Sequence, residues 1–186
     1  MEQNVSMKIN ELPSPTWNWL KVNETSIKWS TKIEPCEIAA EGDAVATETE
    51  QLSDIETGAG READAIFATE NTAKYQILAD NAGQDKTVRL HISGKKDAHT
   101  AGCVEIVAKE NSTLTVVMDS RVAPDATKEE ESTAEASLAV RVRMKVESGA
   151  SVRLIQVQMP QEHETLLSDI AVSYTHLRAH ETAANL

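Results

Sequence analysis

Two stretches of this chain are versions of one another. VEIVAKENSTLTVVM, residues 104–118, aligns without a gap on VRMKVESGASVRLIQ, residues 142–156. Val104 falls on Val142, Ile106 on Met144, Leu114 on Val152 and Val116 on Leu154, while Asn111 and Ser112 fall on Gly149 and Ala150. Each copy is an alternating strand, a tight corner and a second alternating strand. Asn and Gly are the residues that most readily take the positive φ such a corner requires. A recurring strand–corner–strand unit rich in β-branched residues predicts a mainly β fold of stacked rungs, a solenoid or β-helix. Asn111 and Gly149 should then sit at equivalent corners, with Val104, Val142, Leu114 and Val152 pointing inward and Glu105 and Arg143 outside. Such a body is a rigid platform rather than a pocketed enzyme.

The alternation reaches beyond the two copies. Tyr75, Ile77 and Ala79 alternate, as do Val88, Leu90 and Ile92. The longest run is Leu138, Val140, Val142, Met144 and Val146, interleaved with Ala139, Arg141, Arg143 and Lys145. One apolar and one mainly basic face mark a half-buried strand. The Arg141/Arg143/Lys145 row is expected to be solvated and paired with acids on neighbouring rungs; binding an anion is the sharper alternative. Between the repeated units, APDATKEEESTAEA is a polar insertion expected to leave the body as a surface loop.

Three zones precede or form this body, and a fourth follows it. Residues 1–34 form an N-terminal arm that holds all three tryptophans, Trp17, Trp19 and Trp29. Trp17, Trp19 and Leu20 follow a PSP turn, and large rings of this kind dock an arm onto a body. Residues 35–72 are acidic and rich in Ala, Thr and Glu, predicting a poorly ordered or weakly helical connector. Gly58 and Gly60 in TGAGRE are read as a turn, since a lone GxG without a third Gly or a preceding apolar strand does not make a phosphate loop. Residues 73–171 are the strand-rich core. Residues 172–186 are read as a translated sequencing adapter: VSYTHLRAHET, residues 172–182, is what a transposase-type adapter encodes in one frame. His176 and His180, an i/i+4 pair that could face one metal on a helix, are therefore not interpreted.

Charge and chemistry narrow the function classes. A net charge of −12 repels phosphate backbones, which argues against nucleic-acid partners. No long apolar run and no basic-then-apolar start is present, so neither a membrane span nor a secretory signal is expected. Cys36 and Cys103 lie far apart without metal-ligand spacing, and reduced thiols in a cytoplasmic protein are expected. His91 shares the outward face of its strand with Arg89 and Ser93, His99 falls in the turn KKDAHTAG, and His163 lies beyond Pro160 in QEHETLL. None has a second ligand at metal spacing, and a lone strand histidine is ordinarily a surface or satisfied side chain. Cys103, following Gly102, is read as a small buried group. No nucleophile elbow, phosphate loop or paired-carboxylate motif is present, so no catalytic residue and no metal ligand is assigned.

Several segments together resemble the SufB/SufD family, and SufD-type proteins most. They are LPSPTWNWLKVNE, IETGAGREAD, TVRLHIS, ENSTLTVVMD, and SGASVRLIQVQM followed by TLLSDI, in this order over residues 10–170. The Trp-rich lead-in and the absence of a cysteine-dense segment favour SufD over SufB. The resemblance implies a right-handed parallel β-helix that pairs with a SufB-like subunit and the SufC ATPase. Together these form a scaffold on which iron–sulfur clusters are assembled transiently for transfer to apoproteins. The family's cluster-related histidine and cysteine positions and its SufC-gripping helices lie toward the C-terminal end of the full protein. No residue of this chain inherits those roles. The expectation is a C-terminally truncated, non-enzymatic, cytoplasmic scaffold subunit that carries no cofactor itself. A carbohydrate-active β-helix enzyme would need clustered carboxylates and sugar-stacking aromatics, and the strand region offers only Tyr75. A structural solenoid used for adhesion would call for an export signal.

Overall fold

Alternating strands bury their apolar side only when a second layer covers it, and here two sheets cover one another. The computed structural model describes residues 4–9, 25–30, 32–55, 61–68, 70–80, 82–123 and 136–174. It is mainly β, with twelve strands and one short helix among the described residues. In chain order these are β1 (Asn4–Ile9), β2 (Thr25–Ser30), β3 (Glu34–Pro35), β4 (Glu37–Gly42), β5 (Val45–Glu48), α1 (Arg61–Phe67), β6 (Ala73–Ala79), β7 (Asp85–Ser93), β8 (His99–Ala108), β9 (Thr113–Arg121), β10 (Ala136–Val146), β11 (Ser151–Gln158) and β12 (Glu164–Tyr174).

From β6 onward, consecutive strands alternate between two sheets. The first sheet runs β12-β10-β8-β6-β5, with β3 also paired to β8; the second runs β11-β9-β7-β4. β6, β8, β10 and β12 are mutually parallel neighbours, as are β7, β9 and β11. The sheets are mixed because β4 pairs antiparallel with β7 and β5 antiparallel with β6. β1 and β2 form a separate antiparallel pair.

The two repeated units meet strand on strand, in the alignment read from the sequence. Val104 stands opposite Val142 and Ile106 opposite Met144, while Leu114 faces Val152 and Val116 faces Leu154. Their corners stack too, with Asn111 at φ 58° and Gly149 at φ 70°, and the Asn111 amide donates to the Ser148 carbonyl at 3.0 Å. A Cβ on Gly149 would collide with Asn111 Oδ1, so a side chain at position 149 meets both steric conflict and an unfavourable φ. The structure adds a third copy. Gly83, at φ 79°, sends its amide to the Asn111 carbonyl at 3.2 Å. Its flanking strands β6 and β7 lie on β8 and β9. Ala79 pairs with Ala108, but Asp85 with Thr113, so the first corner carries about one extra residue, and that insertion breaks an ungapped alignment.

The inner faces of the two sheets form one core. Leu90, Val104, Ile106, Leu114, Val116 and Val142 are buried in it, each contributing about 1.5–3 kcal/mol by leaving water. Val152 and Leu154 pack against it while staying partly exposed. The expected connector over 35–72 instead supplies β3, β4, β5 and α1. In β4 the acids Glu37 and Glu41 face outward while Ile38 and Ala40 pack against the core. Acidic composition concealed a short period-two pattern with only Ile38 and Ala40 on the inward side of β4.

Outside the first sheet lies a further layer. Trp29, Ile33, Ala63, Ile66 and Phe67 are buried against Ala101, Cys103, Ala139 and Leu167 on the sheet's outer face. Trp29, at the end of β2, is thus buried against the sheet. Trp17, Trp19, the TGAGRE glycines and most of the APDATKEEESTAEA insertion fall outside the described residues. Of the suspected adapter tail, Val172–Tyr174 close β12 opposite Met144–Val146, and the remainder lies outside the described residues. No helix among them is long and apolar enough to cross a membrane.

Candidate functional site

The outer face of the first sheet concentrates the unusual chemistry. Parallel register turns single outward residues into rows across strands. One row runs Lys74, Cys103, Arg141, Asp169 over β6, β8, β10 and β12. The next runs Gln76, Glu105, Arg143, Ala171. Glu105, Arg141 and Asp169 are all buried, although charged side chains are almost never buried unless paired.

Their pairing is complete in kind. Arg141 Nε donates to Asp169 Oδ2 at 2.7 Å and its NH2 donates to Asp64 Oδ1 at 2.7 Å. Its guanidinium also lies 4.2 Å from the centre of the Phe67 ring, a cation–π contact. Glu105 accepts from the Ser53 amide at 2.9 Å and from Gln76 Nε2 at 2.6 Å. Arg143 NH1 donates to the Ser53 carbonyl at 2.6 Å. Burial pushes the Glu105 carboxyl up, but hydrogen bonds from Ser53 and Gln76 and the Arg143 charge outweigh it, holding Glu105 below its ordinary range. Two atoms here, Ser53 Oγ and Arg143 Nε, are buried without a hydrogen-bond partner.

These positions correct two expectations. Glu105 and Arg143 do point away from the core, but Glu105 is buried and Arg143 half-buried beneath a second layer. Two residues of the basic row stand beside acids on adjacent strands, Arg141 hydrogen-bonded to Asp169 and Arg143 in register with Glu105, while Lys145 stands opposite Val107 and Ser173. The row is not solvated along its length, since only Lys145 is exposed. Alternation specifies which side of a sheet a residue takes, and α1 with its flanking chain decides whether that side is wet.

The cysteines are both buried and free. Burial pushes the Cys36 thiol up to about 12, with Cys103 adding to the rise. Burial also raises Cys103, opposed by the charges of Arg141, Arg143 and Lys74. Neither thiol is a nucleophile at neutral pH in this state. The histidines do not converge. His91 lies on the outer face of the second sheet with Nδ1 3.9 Å from Asp119. His99 shares a hydrogen bond with the Ser137 hydroxyl and sits 6.0 Å from the Trp29 ring. His163 is an exposed corner residue at φ 69°. Among the described residues no three His, Cys, Asp or Glu side chains are grouped to hold a metal ion. A cavity of about 750 Å³ lies beside β3, β4 and β5, lined among others by Cys36, Glu48, Glu50, Lys74 and Tyr75.

Comparison with protein families, with curated proteins and with solved structures returns no match for this chain.

Proposed function

We propose that this chain is a SufD-like scaffold subunit of the SUF iron–sulfur assembly system, built on a right-handed parallel β-helix. The observation that carries the proposal is the placement of the segments in which the resemblance resides. TVRLHIS lies in β7, TLTVVMD in β9 and SVRLIQVQ in β11, and these are adjacent parallel strands of one sheet. Each follows a positive-φ corner, and each is preceded by a strand of the facing sheet. That is the order in which a β-helix lays down its coils. TLLSDI continues the series in β12.

In this role the chain acts in the cytoplasm. It carries no catalytic residue and serves as the rigid partner of a SufB-like subunit. The SufC ATPase supplies the energy, coupled through rearrangement of the paired scaffolds. The iron–sulfur cluster is cargo, assembled transiently on the full complex.

The test is co-purification together with anaerobic cluster reconstitution followed by visible absorption. The protein encoded by an intact gene, read past codon 171, is expected to co-purify with SufB- and SufC-like partners encoded beside a cysteine desulfurase. Residues 1–171 alone are expected to capture neither the ATPase nor a cluster. Failure of the intact protein to engage either partner, or stoichiometric capture of the ATPase by residues 1–171, would overturn the assignment.

A further inference from the structure

The cavity of about 750 Å³ lies where the start of β4, the end of β5 and the start of β6 converge, and its size is that of a small-molecule site. Its apolar lining is the margin of the inner core. Ile38 and Ala73 pack on that core while staying partly exposed, and Cys36 is buried beside them. Small residues leave the room: Ala73 stands next to Gly102 in register, whereas further along the same strands Ile77 stands next to Ile106.

One wall sets a charge where alternation calls for an apolar group. Ala46 on β5 packs against the core, so Glu48, two residues on, takes the same side. Glu48 stands opposite Tyr75, which shares its side of β6 with the buried Ile77 and Ala79. Directly opposed residues hold their Cβ atoms about 4.5–5.5 Å apart. A carboxylate and an aromatic ring thus flank one point of the wall, and water reaches it, since Glu48 is exposed and Tyr75 half-buried. That combination suits an ammonium group, which takes Coulomb attraction from the carboxylate and a cation–π contact from the ring.

Three more carboxylates, Glu37, Glu50 and Glu70, line the same cavity. None of the four carboxylates is hydrogen-bonded or ion-paired to another side chain among the described residues. The cation on the wall, Lys74, donates its Nζ to the Glu50 backbone carbonyl at 3.2 Å. The carboxylates are spread along the cavity: among the described residues no three His, Cys, Asp or Glu side chains are grouped to hold a metal ion. A compact ion meets only part of this charge, whereas an elongated cation spans it.

We propose that this cavity binds a linear polyamine, with ammonium groups spaced along a methylene chain. One ammonium lies between Glu48 and Tyr75, the methylenes cover Ile38, Cys36 and Ala73, and a second ammonium meets the remaining carboxylates. The site is independent of any SufB- or SufC-like partner.

The probe is spermidine, titrated into the full chain at about 0.1 M salt, where attraction between exposed charges is screened beyond about 10 Å. Calorimetry is expected to show one saturable site. Amide spectra of the same titration are expected to move residues 36–38, 48–50 and 72–75 and to leave β9 and β11 in place. Glu48→Gln is expected to weaken binding about fivefold, the upper range for an exposed ion pair, and Tyr75→Leu about threefold. Glu162→Gln removes an exposed carboxylate between β11 and β12, at the opposite edge of the sheets, and is expected to leave binding unchanged. Equal weakening by Glu48→Gln and Glu162→Gln would mean general attraction to a chain of net charge −12 and would overturn the site. Displacement of spermidine by an equal concentration of magnesium would overturn it too, as would the lack of saturable binding below about 1 mM. So would amide shifts scattered over the unsubstituted chain, a result that stands whether or not either cavity variant folds.

Discussion

The two outer faces of this molecule follow the same alternation and meet opposite fates. On the second sheet, the outward residues of β4, β7, β9 and β11 stay in or near water. Arg121 pairs with Asp119 at 3.1 Å while half of its side chain remains exposed, and Ile155 and Val157 stand 43% and 36% exposed. On the first sheet, the outward Glu105, Arg141 and Asp169 are nearly as buried as the core. The difference is the covering layer of Trp29, Ile33 and α1. A charge pair is worth little in water, whereas a covered one carries a large desolvation cost that only its partners offset. Similar outward charges therefore have very different consequences on the two faces.

The largest expected effect breaks the covered side. Arg141→Ala strands Asp169, 6% exposed, without its 2.7 Å partner, and should cost about 3–5 kcal/mol in urea unfolding. Replacing both charges together, Arg141→Met with Asp169→Leu, should recover most of that loss, because no uncompensated charge is left.

A smaller effect sharpens the same side by pH. The folded Glu105 carboxyl titrates below its ordinary range, so folding favours its charged form. Its contribution is complete above the ordinary glutamate range and is lost as pH falls through that range to the folded value. Glu105→Gln should cost about 1–3 kcal/mol at neutral pH and flatten the acid limb of the stability curve, as followed by urea midpoints from pH 7 to pH 3.

The smallest effect belongs to the wet side. Arg121→Ala should change stability by less than about 0.5 kcal/mol. A cost comparable to that of Arg141→Ala would erase the contrast between the faces.

The repeat was legible because its two copies carry corners of equal length, so one alignment spans both strands. The third copy, on β6 and β7, escaped because of the extra residue before Gly83, although its alternation was visible. The covering layer was hidden for a different reason. A period-two pattern separates the two sides of a sheet but carries no information about what lies beyond either side. A signal was present in β8, HTAGCVEIVA, where Ala101, Cys103 and Val107 make the outward side as apolar as a doubly covered strand requires. Within 35–72, β4 was obscured by Glu37 and Glu41 on its outward positions, and β5 by its four-residue length and by having only Ala46 packed on the core. That the basic row would meet acids on neighbouring strands was legible; which acids it meets was not. Arg141 meets Asp169 and Asp64 only through parallel register and a helix 77 positions away.

The central claim is that the two repeated units lie side by side, parallel and in register in both sheets, and interstrand backbone NOEs test it most directly. In a perdeuterated, amide-protonated sample with selective Hα labelling, contacts should link the neighbourhoods of Val104 and Val142 and, across the corner, those of Val116 and Leu154. A third set should link Tyr75 with Val104 and Val88 with Val116. Antiparallel connectivities, a register shifted by one residue, or contacts on only one side of the Asn111–Gly149 corner would contradict the account.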